Sequence, residues 1–263
     1  MIRTFLVFVI ILFTPKLSVA ADFTAEFNAP SGKGPFPVVI ISHGSGGLTP
    51  LQTRWAEYFN SLGYATITMD HYGPRGWSRG QRPPKGREAR DWRYSDLIGV
   101  LKKIKSNEKV DQKQIVLAGW SAGSAMTVWG LKKGEKIREE SGIEYPFKAG
   151  ILFYPWMYAC NSSFNKITFP IIHLHGSNDA TFKNCWKSNI GDMKSEKFEL
   201  VSKIYDGALH LFDSPFAPDR CRRIRVSRNS PYSSYELCYR YDAHAHDQSK
   251  KDIKAFLARH IGN

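Results

Sequence analysis

A serine, an aspartate and a histidine stand in the order that a hydrolytic enzyme uses. Ser121 lies in Gly119-Trp120-Ser121-Ala122-Gly123, a G-x-S-x-G pattern that directly follows a short apolar run and precedes a helical pattern. In a strained strand-to-helix turn the serine is exposed as a nucleophile, and the glycines leave space for crowded backbone. The pentapeptide alone is weak evidence, since a serine there also suits an ordinary helix cap. Its place between strand and helix favours the nucleophile.

A serine hydroxyl needs a general base, and the base needs an acid to orient it. Asp179 follows one predicted strand, and His210 follows the next. Because the carboxyl ends of parallel strands meet at one edge of a sheet, we expect both beside Ser121. Position along the chain is the reason for preferring them over other acids and histidines. Those competitors are Asp192, Asp206, His173, His175, His244 and His246.

An acyl-transfer site also needs two backbone donors for the oxyanion. We expect one to be the N–H of Ala122, directly after the nucleophile, and the other to lie in the glycine-rich turn after the first apolar strand. In that turn the N–H of Ser45 is the first choice and that of Gly46 the second. The neighbours of these donors are predicted to contact the substrate: Trp120, His43 and Gly44. Other aromatic residues that suit a pocket are Trp77, Trp92, Trp156 and Tyr158.

Alternating apolar runs and helical patterns predict an α/β fold with a mostly parallel twisted sheet and helices on both faces. Strands are predicted at 37–42, 64–69, 115–118, 149–154, 170–174 and 198–204. Helices are predicted at 51–62, 87–106, 124–133, 182–194 and 248–260. Residues 73–86 are rich in Gly, Pro and Arg and predict an exposed loop. The pattern is lost from 211 to 245, which suggests an excursion held by a disulfide.

The first twenty residues have the layout of a secretory signal peptide. Arg3 precedes the apolar run Phe5 to Phe13, and small residues lead to a cleavage site near Ala20 or Ala21. An apolar run of this length is far short of the roughly 20 residues that span a bilayer. We therefore expect a secreted or periplasmic protein, with a single domain at 21–263 and no stable membrane insertion after cleavage.

The chain has a formal net charge of +13, but no nucleic-acid-binding motif accompanies it. We expect the partner to be a small-molecule or polymeric ester rather than a nucleic acid. Between Arg75 and Arg93 seven basic residues stand against two acidic ones. This segment is interpreted either as a solvated loop or as a positive rim that selects an anionic substrate through Arg79, Arg82 and Arg87.

Four cysteines in a chain with an export signal favour disulfides. Loop lengths favour the sequential pairing of Cys160 with Cys185 and of Cys221 with Cys238, each stabilising by roughly 3 kcal/mol. No Cys-x-x-Cys pair is present. The pair His173 and His175, with His43 and His71, is an alternative metal site, but it lacks a carboxylate-bearing zinc motif, and we expect no metal.

Taken together, these segments resemble the dienelactone hydrolase family of the α/β-hydrolase superfamily. The resemblance covers about residues 25–260 and rests on short segments: 34–39 with His43-Gly44, 73–76, the G-x-S-x-G turn, Tyr154-Pro155, Asp179, and 207–212 with His210. It implies a sheet of eight strands or a similar number, and hydrolysis of esters or lactones without metal or cofactor. One position departs from the family's namesake enzymes, which carry a cysteine where this chain has Ser121. Serine-bearing relatives are commonly general carboxylesterases.

The sequence thus predicts a carboxylesterase-like serine hydrolase. A peptidase or thioesterase on the same fold is the main alternative, and a binding protein that keeps the fold without catalysis is another. The complete order of serine, aspartate and histidine argues against the binding protein.

Overall fold

The computed structural model describes residues 25–78, 81, 86–144, 146–156, 167–187, 198–225 and 234–262. Within these residues, seven strands form one sheet in the order β1-β3-β2-β4-β5-β6-β7. They are β1 (Ala25–Asn28), β2 (Phe36–Ser42), β3 (Ala65–Met69), β4 (Val110–Trp120), β5 (Ala149–Phe153), β6 (Ile171–Gly176) and β7 (Leu200–Tyr205). β1 pairs antiparallel with β3, and every other neighbour pairs in parallel. The α/β class is confirmed.

Helices cover both faces of this sheet, which makes its central strands apolar on both sides. Val38 and Ile40 of β2 join one hydrophobic cluster, whereas Val39 and Ile41 join the cluster on the opposite face. This explains the unbroken apolar run of β2. The helices are α1 (Pro50–Ser61), α2 (Gly86–Lys105), α3 (Ala122–Lys132), α4 (Gly134–Ser141) and α5 (Ala243–His260), with a 3-10 turn at Gly73–Arg75 and a π-helix at Phe182–Trp186.

The strand order reverses direction at β2. The chain passes from β2 outward to β3 on one side and then crosses to β4 on the other side of β2. In open parallel sheets such a reversal opens a crevice at the carboxyl ends of the two strands. The loop after β2 and the turn after β4 therefore meet at this point.

The segment 211–245 contains a hairpin that the sequence analysis missed. β8 (Arg220–Arg225) pairs antiparallel with β9 (Ser234–Tyr239). β8 reads Arg-Cys-Arg-Arg-Ile-Arg, so it lacks the apolar alternation by which a strand is recognised. Cys221 and Cys238 are directly opposite each other and form the predicted disulfide. Cys160 lies outside the described residues, so its pairing with Cys185 stays a prediction.

Several boundaries differ from the predicted ones. β1 and α4 were not predicted, and β4 begins at Val110 rather than at residue 115. Of the predicted helix 182–194, the structure describes only the π-helix, because residues 188–197 are outside the described part. No helix in the described ranges is both long and apolar enough to cross a membrane. The predicted signal peptide lies outside those ranges.

Candidate active site

Ser121 occupies a strained turn between β4 and α3. Its backbone has φ 52° and ψ −112°, and α3 starts at the next residue. A side chain at Gly119 would overlap the backbone of Gly123, and one at Gly123 would overlap the carbonyl of Ser42. Only glycine permits these approaches, which explains the two glycines of the G-x-S-x-G pattern.

The structure brings Ser121, His210 and Asp179 together. His210 Nε2 lies 3.1 Å from Ser121 Oγ, and His210 Nδ1 lies 2.6 Å from Asp179 Oδ2. Because the carboxylate accepts the Nδ1–H, the imidazole presents an unprotonated Nε2 to the serine hydroxyl. Ser121 is 6% exposed and Asp179 is fully buried, so the serine stands at the outer end of this chain of groups.

Asp179 is surrounded by hydrogen-bond donors. Its Oδ1 accepts from both the backbone N–H and the hydroxyl of Thr181, each at 2.8 Å. His175 Nε2 lies 3.3 Å from its Oδ2. Burial acts to raise the pKa of Asp179, but its electrostatic interaction with the His210 ring and the hydrogen bond from His175 outweigh it and hold that pKa well below its usual range. Asp179 is therefore an anion at neutral pH.

Two further imidazoles continue the line of contacts behind Asp179. His173 Nε2 lies 2.9 Å from His175 Nδ1, and His173 Nδ1 lies 3.0 Å from Ser202 Oγ. His175 Nε2 also lies 2.8 Å from Thr181 Oγ1. Burial lowers the pKa of both histidines, so they are neutral. By sequence they compete with His210, yet His175 faces Asp179 and His173 lies one residue further behind it.

The loop that carries His210 is tied to the β8–β9 hairpin. The His210 N–H donates to the carbonyl of Cys238, and its own carbonyl accepts from the N–H of Arg240. The ring of Tyr239 lies edge-on to the imidazole, with centroids 5.6 Å apart. The disulfide between Cys221 and Cys238 thus braces the strand that holds the histidine.

Asp213 is a buried carboxylate that sequence reasoning missed. Its oxygens accept hydrogen bonds from the indole N–H groups of Trp55 and Trp120, each at 2.8 Å, and from the Tyr154 hydroxyl at 2.7 Å. The Tyr154 ring lies 4.5 Å from that of His210. Burial raises the pKa of Asp213, and these donors oppose the rise. In the sequence, Asp213 directly follows the apolar pair Leu211 and Phe212, and an acid in such a place could have indicated a buried carboxylate.

The turn after β2 lies against the serine. A side chain at Gly44 would come 3.3 Å from the Trp120 carbonyl and 3.6 Å from Ser121 Cβ. Among the described residues, neither the Ser45 N–H nor the Ala122 N–H donates to a backbone acceptor. Ala122 is the first residue of α3, where N–H groups have no partner inside the helix. That these two N–H groups donate to the oxyanion stays a prediction.

His43 and Trp120 are buried beside these donors. His43 Nδ1 lies 2.6 Å from the Gly44 carbonyl, and its Nε2 accepts from the His71 N–H. The Trp120 indole donates to Asp213. Direct contact of these two side chains with a substrate stays a prediction, because in this structure both bond to other protein groups.

A second buried network lies beneath the same turn. His71 Nε2 is 2.9 Å from Ser42 Oγ, and His71 Nδ1 is 2.8 Å from Asp96 Oδ2. Arg75 makes two hydrogen bonds to the Asp96 carboxylate, and Arg93 donates to Ser42 Oγ. Arg93 and Asp96 stand four residues before the apolar Leu97 and Val100 of α2, and this helical spacing was the sequence signal for the network.

This network corrects the interpretation of the basic segment between Arg75 and Arg93. The first and last basic residues of the segment belong neither to a solvated loop nor to an exposed rim. Arg75 is largely buried against Asp96, and Arg93 is 3% exposed. Arg87 is exposed near the start of α2. Arg79 and Arg82 lie outside the described residues.

Among the described residues, one group of three potential ligands is compact enough to hold a metal ion: Cys221, Glu236 and Cys238. Its two sulfurs are joined in the disulfide. His173 and His175 are hydrogen-bonded to each other, and His43 and His71 belong to the separate network under the β2 turn.

The sequence model of the dienelactone hydrolase family matches residues 23–261. No curated protein is significantly similar in sequence to this chain.

Solved structures with the same fold include several esterases. Esterase 2 of Thermogutta terrifontis, phosphorylated by paraoxon, has a TM-score of 0.66 at 20% identity, covering 92% of this chain and 90% of that one. A dienelactone hydrolase from Anabaena variabilis has a TM-score of 0.62 at 14% identity, with 90% and 92% covered. The Est1E protein of Butyrivibrio proteoclasticus with bound ferulic acid has a TM-score of 0.59 at 17% identity, with 92% and 96% covered.

Proposed function

Because this chain belongs to the dienelactone hydrolase family, a family of ester hydrolases, we propose that it cleaves carboxylic esters or lactones through an acyl-enzyme on Ser121. One observation carries the proposal. The Ser121 hydroxyl, the His210 imidazole and the Asp179 carboxylate form a continuous hydrogen-bonded line at the strained turn after β4. No cofactor is needed for this chemistry.

The mechanism follows from the protonation of His210, whose Nδ1–H donates to Asp179 while its Nε2 faces the Ser121 hydroxyl. His210 Nε2 takes the Ser121 proton as Oγ attacks the carbonyl carbon, and Asp179 stabilises the imidazolium that forms. The N–H groups of Ala122 and Ser45 donate to the oxyanion. When the intermediate collapses, His210 gives the proton to the departing alkoxide oxygen. Water then repeats the sequence on the acyl-enzyme, which releases the acid and restores Ser121.

An organophosphate separates the serine mechanism from its alternatives. Diethyl p-nitrophenyl phosphate should release one equivalent of p-nitrophenolate, and mass spectrometry should locate the diethylphosphoryl group on Ser121. The related fold of an esterase phosphorylated by this compound supports the choice of reagent. Ser121→Ala is the control. Labelling elsewhere, or none in a folded protein, would reject Ser121 as the nucleophile.

The leaving group distinguishes an esterase from the other acyl-transfer enzymes. We expect p-nitrophenyl butyrate to be hydrolysed much faster than butyryl p-nitroanilide and butyryl thioesters at equal concentration. Faster amide cleavage would indicate a peptidase, and faster thioester cleavage would indicate a thioesterase. Adduct formation at Ser121 without turnover of any ester would favour the binding protein.

We extend the proposal to anionic esters, on the basis of arginines at the hairpin beside His210. Arg222 is exposed, its Nε donates to the Tyr239 hydroxyl, and Tyr239 contacts the His210 ring. Arg220 is exposed and lies opposite Tyr239 on the same face of the hairpin. Arg222→Gln should raise KM for a succinate monoester at low salt and leave KM for the butyrate ester unchanged. The matched control is Arg225→Gln, on the outward face. Equal effects on both esters would reject charge recognition.

We also propose that residues 1–20 are a signal peptide and that the mature protein is exported. The disulfide between Cys221 and Cys238 supports an oxidising compartment. N-terminal sequencing of protein recovered outside the cytoplasm should begin at or near residue 21. A chain that keeps its first twenty residues would contradict the proposal.

A further inference from the structure

A buried cation lies directly beneath the turn that follows β2. Arg93 comes from α2 and is 3% exposed. Its Nη1 donates to the His43 carbonyl at 2.7 Å, and its Nη2 donates to the Gly44 carbonyl at 3.1 Å. The same two nitrogens also donate to Ser42 Oγ and the Tyr72 hydroxyl. Two consecutive peptide groups of the turn are therefore fixed by one guanidinium.

Because the peptide bond is planar, the contacts of Arg93 with the two carbonyls also fix the direction of the N–H groups that follow them. In a trans peptide the carbonyl and the following N–H point in opposite directions. Since Arg93 holds the carbonyls of His43 and Gly44, the N–H groups of Gly44 and Ser45 are turned to the side away from the guanidinium. Gly44 itself lies against Ser121 Cβ and the Trp120 carbonyl.

From this geometry we propose that Arg93 is a positioning residue for the oxyanion hole, orienting the Ser45 N–H toward the reacting carbonyl. This inference rests on the proposed function. It goes further because it assigns a role to a residue that does not touch the substrate. The buried cation lies on the carbonyl side of the two peptides, so its charge also reinforces their dipoles.

The remaining contacts of the network hold the guanidinium in place. His71 Nδ1 donates to Asp96, so its Nε2 accepts a hydrogen bond from the Ser42 hydroxyl. Ser42 Oγ can then accept a hydrogen bond from Arg93. Arg75 holds the other side of the Asp96 carboxylate. A buried guanidinium persists only when its donors are satisfied. Here four acceptors and the nearby charge of Asp96 meet that need; the acceptors are Ser42 Oγ, the carbonyls of His43 and Gly44, and the Tyr72 hydroxyl.

The test compares Arg93→Gln and Arg93→Lys with Arg90→Gln, an exposed position on the same helix. Loss of one oxyanion donor costs about 10²–10³-fold in kcat. We expect Arg93→Gln to lose about 100-fold in kcat with KM changed by less than about 3-fold. Arg93→Lys keeps the charge but cannot bridge two carbonyls with two nitrogens. Its kcat should therefore lie between that of the wild type and that of Arg93→Gln. Arg90→Gln should match the wild type.

A second readout distinguishes positioning from a merely structural role. A thionoester places sulfur where the oxyanion forms, and sulfur is larger and a weaker acceptor than oxygen. An oriented oxyanion hole therefore prefers the oxoester, and the oxoester-to-thionoester ratio of kcat/KM should fall by about 10-fold or more in Arg93→Gln. Variants that are only less stable would have fewer active sites but an unchanged ratio.

The outcomes separate this inference from the proposed function. If the wild type is not phosphorylated at Ser121, the proposed function fails. If the wild type is phosphorylated and active but both Arg93 variants keep its kcat and its oxoester preference, only the positioning role is overturned. Should Arg93→Gln not fold, Arg93→Lys carries the same two readouts.

Discussion

The described part of the protein contains two hydrogen-bonded lines of serine, histidine and aspartate with nearly the same geometry. In the first, Ser121 to His210 is 3.1 Å and His210 to Asp179 is 2.6 Å. In the second, Ser42 to His71 is 2.9 Å and His71 to Asp96 is 2.8 Å. In both lines the histidine Nδ1 faces the aspartate and the histidine Nε2 faces the serine. Distances alone therefore do not distinguish a reactive serine from a structural one.

The surroundings of the two serines differ in three ways. Ser42 ends a strand and is fully buried, whereas Ser121 stands in a turn with positive φ at the start of a helix. Ser42 Oγ already accepts from Arg93. Ser121 has the available N–H of Ala122 beside it. Access, backbone strain and nearby donors turn the first line into a candidate catalytic site, and the second line supports the turn that faces it.

Removing each serine gives the largest predicted contrast. Ser121→Ala should lower kcat for p-nitrophenyl butyrate by about 10⁵-fold or more, because the nucleophile is lost. Ser42→Ala removes only one of four acceptors of Arg93 and should cost less than about 10-fold. Both are measured under saturating ester, with folding checked by circular dichroism. Comparable losses in the two variants would remove the distinction between the lines.

Replacing each acid by its amide separates catalysis from stability. Asp179→Asn should lower kcat by about 10⁴-fold, since the imidazole loses the group that fixes its tautomer. Asp96→Asn leaves Arg75 and Arg93 with less compensating charge in the interior, and should lower the free energy of unfolding by about 3 kcal/mol. Urea denaturation and steady-state kinetics measure the two effects. A thermally stable Asp96→Asn with wild-type Tm would contradict the second.

The imidazoles behind Asp179 sharpen the comparison on a smaller scale. His175→Phe removes a donor to a buried carboxylate, so kcat should fall by about 10-fold. The pKa of Asp179 should also rise, because the hydrogen bond from His175 is one of the contacts that lower it. His173→Phe, one step further from the acid, is the matched variant and should show a weaker effect. A wild-type kcat in His175→Phe would argue that His175 does not stabilise the carboxylate.

Acidification should destabilise the fold through histidines held neutral by burial. His246 has its pKa lowered to about 4 by burial first and by the charge of Lys250 second. A group with a lowered folded pKa favours the unfolded state once the unfolded chain binds its proton. Stability should therefore be full above about pH 6.5 and fall between there and about pH 4. His71 has its pKa lowered by burial, Arg93 and Arg75, and acts in the same direction.

Urea unfolding from pH 7.5 to 4.5 measures this effect. His246→Gln should reduce the loss of unfolding free energy over that window by up to about 2 kcal/mol, because one proton is no longer taken up on unfolding. An unchanged pH dependence in this variant would mean that His246 is protonated in the folded state.

Local patterns determined the sheet and the three residues of the first line. The strand runs at β2 and β4 are apolar because both of their faces are buried, and the turns at the carboxyl ends of β4, β6 and β7 are where reactive polar side chains fit. Ser121, Asp179 and His210 stand at such places, so chain order and position were enough to choose them and to recognise the family.

Sequence patterns failed to predict features that depend on contacts between residues far apart in the chain. β8 is rich in arginine and lacks an apolar alternation, so its pairing with β9 was missed although the disulfide across the hairpin was predicted. The network of Ser42, His71 and Asp96 joins residues far apart in the chain, and no local period relates them. Arg75 and Arg93 looked like part of a solvated segment, because composition does not reveal which charged residue finds an acid inside the fold.

The sequence by itself determined the fold class, the family and the nucleophile turn, since these depend on periodicity and on glycines that admit close backbone approach. Only the tertiary structure decided which serine is accessible, which histidines face an acid, and that Arg93 lies under the oxyanion turn. The physical reason is that burial, hydrogen-bond direction and peptide orientation are properties of the packed elements together, and no single segment contains them.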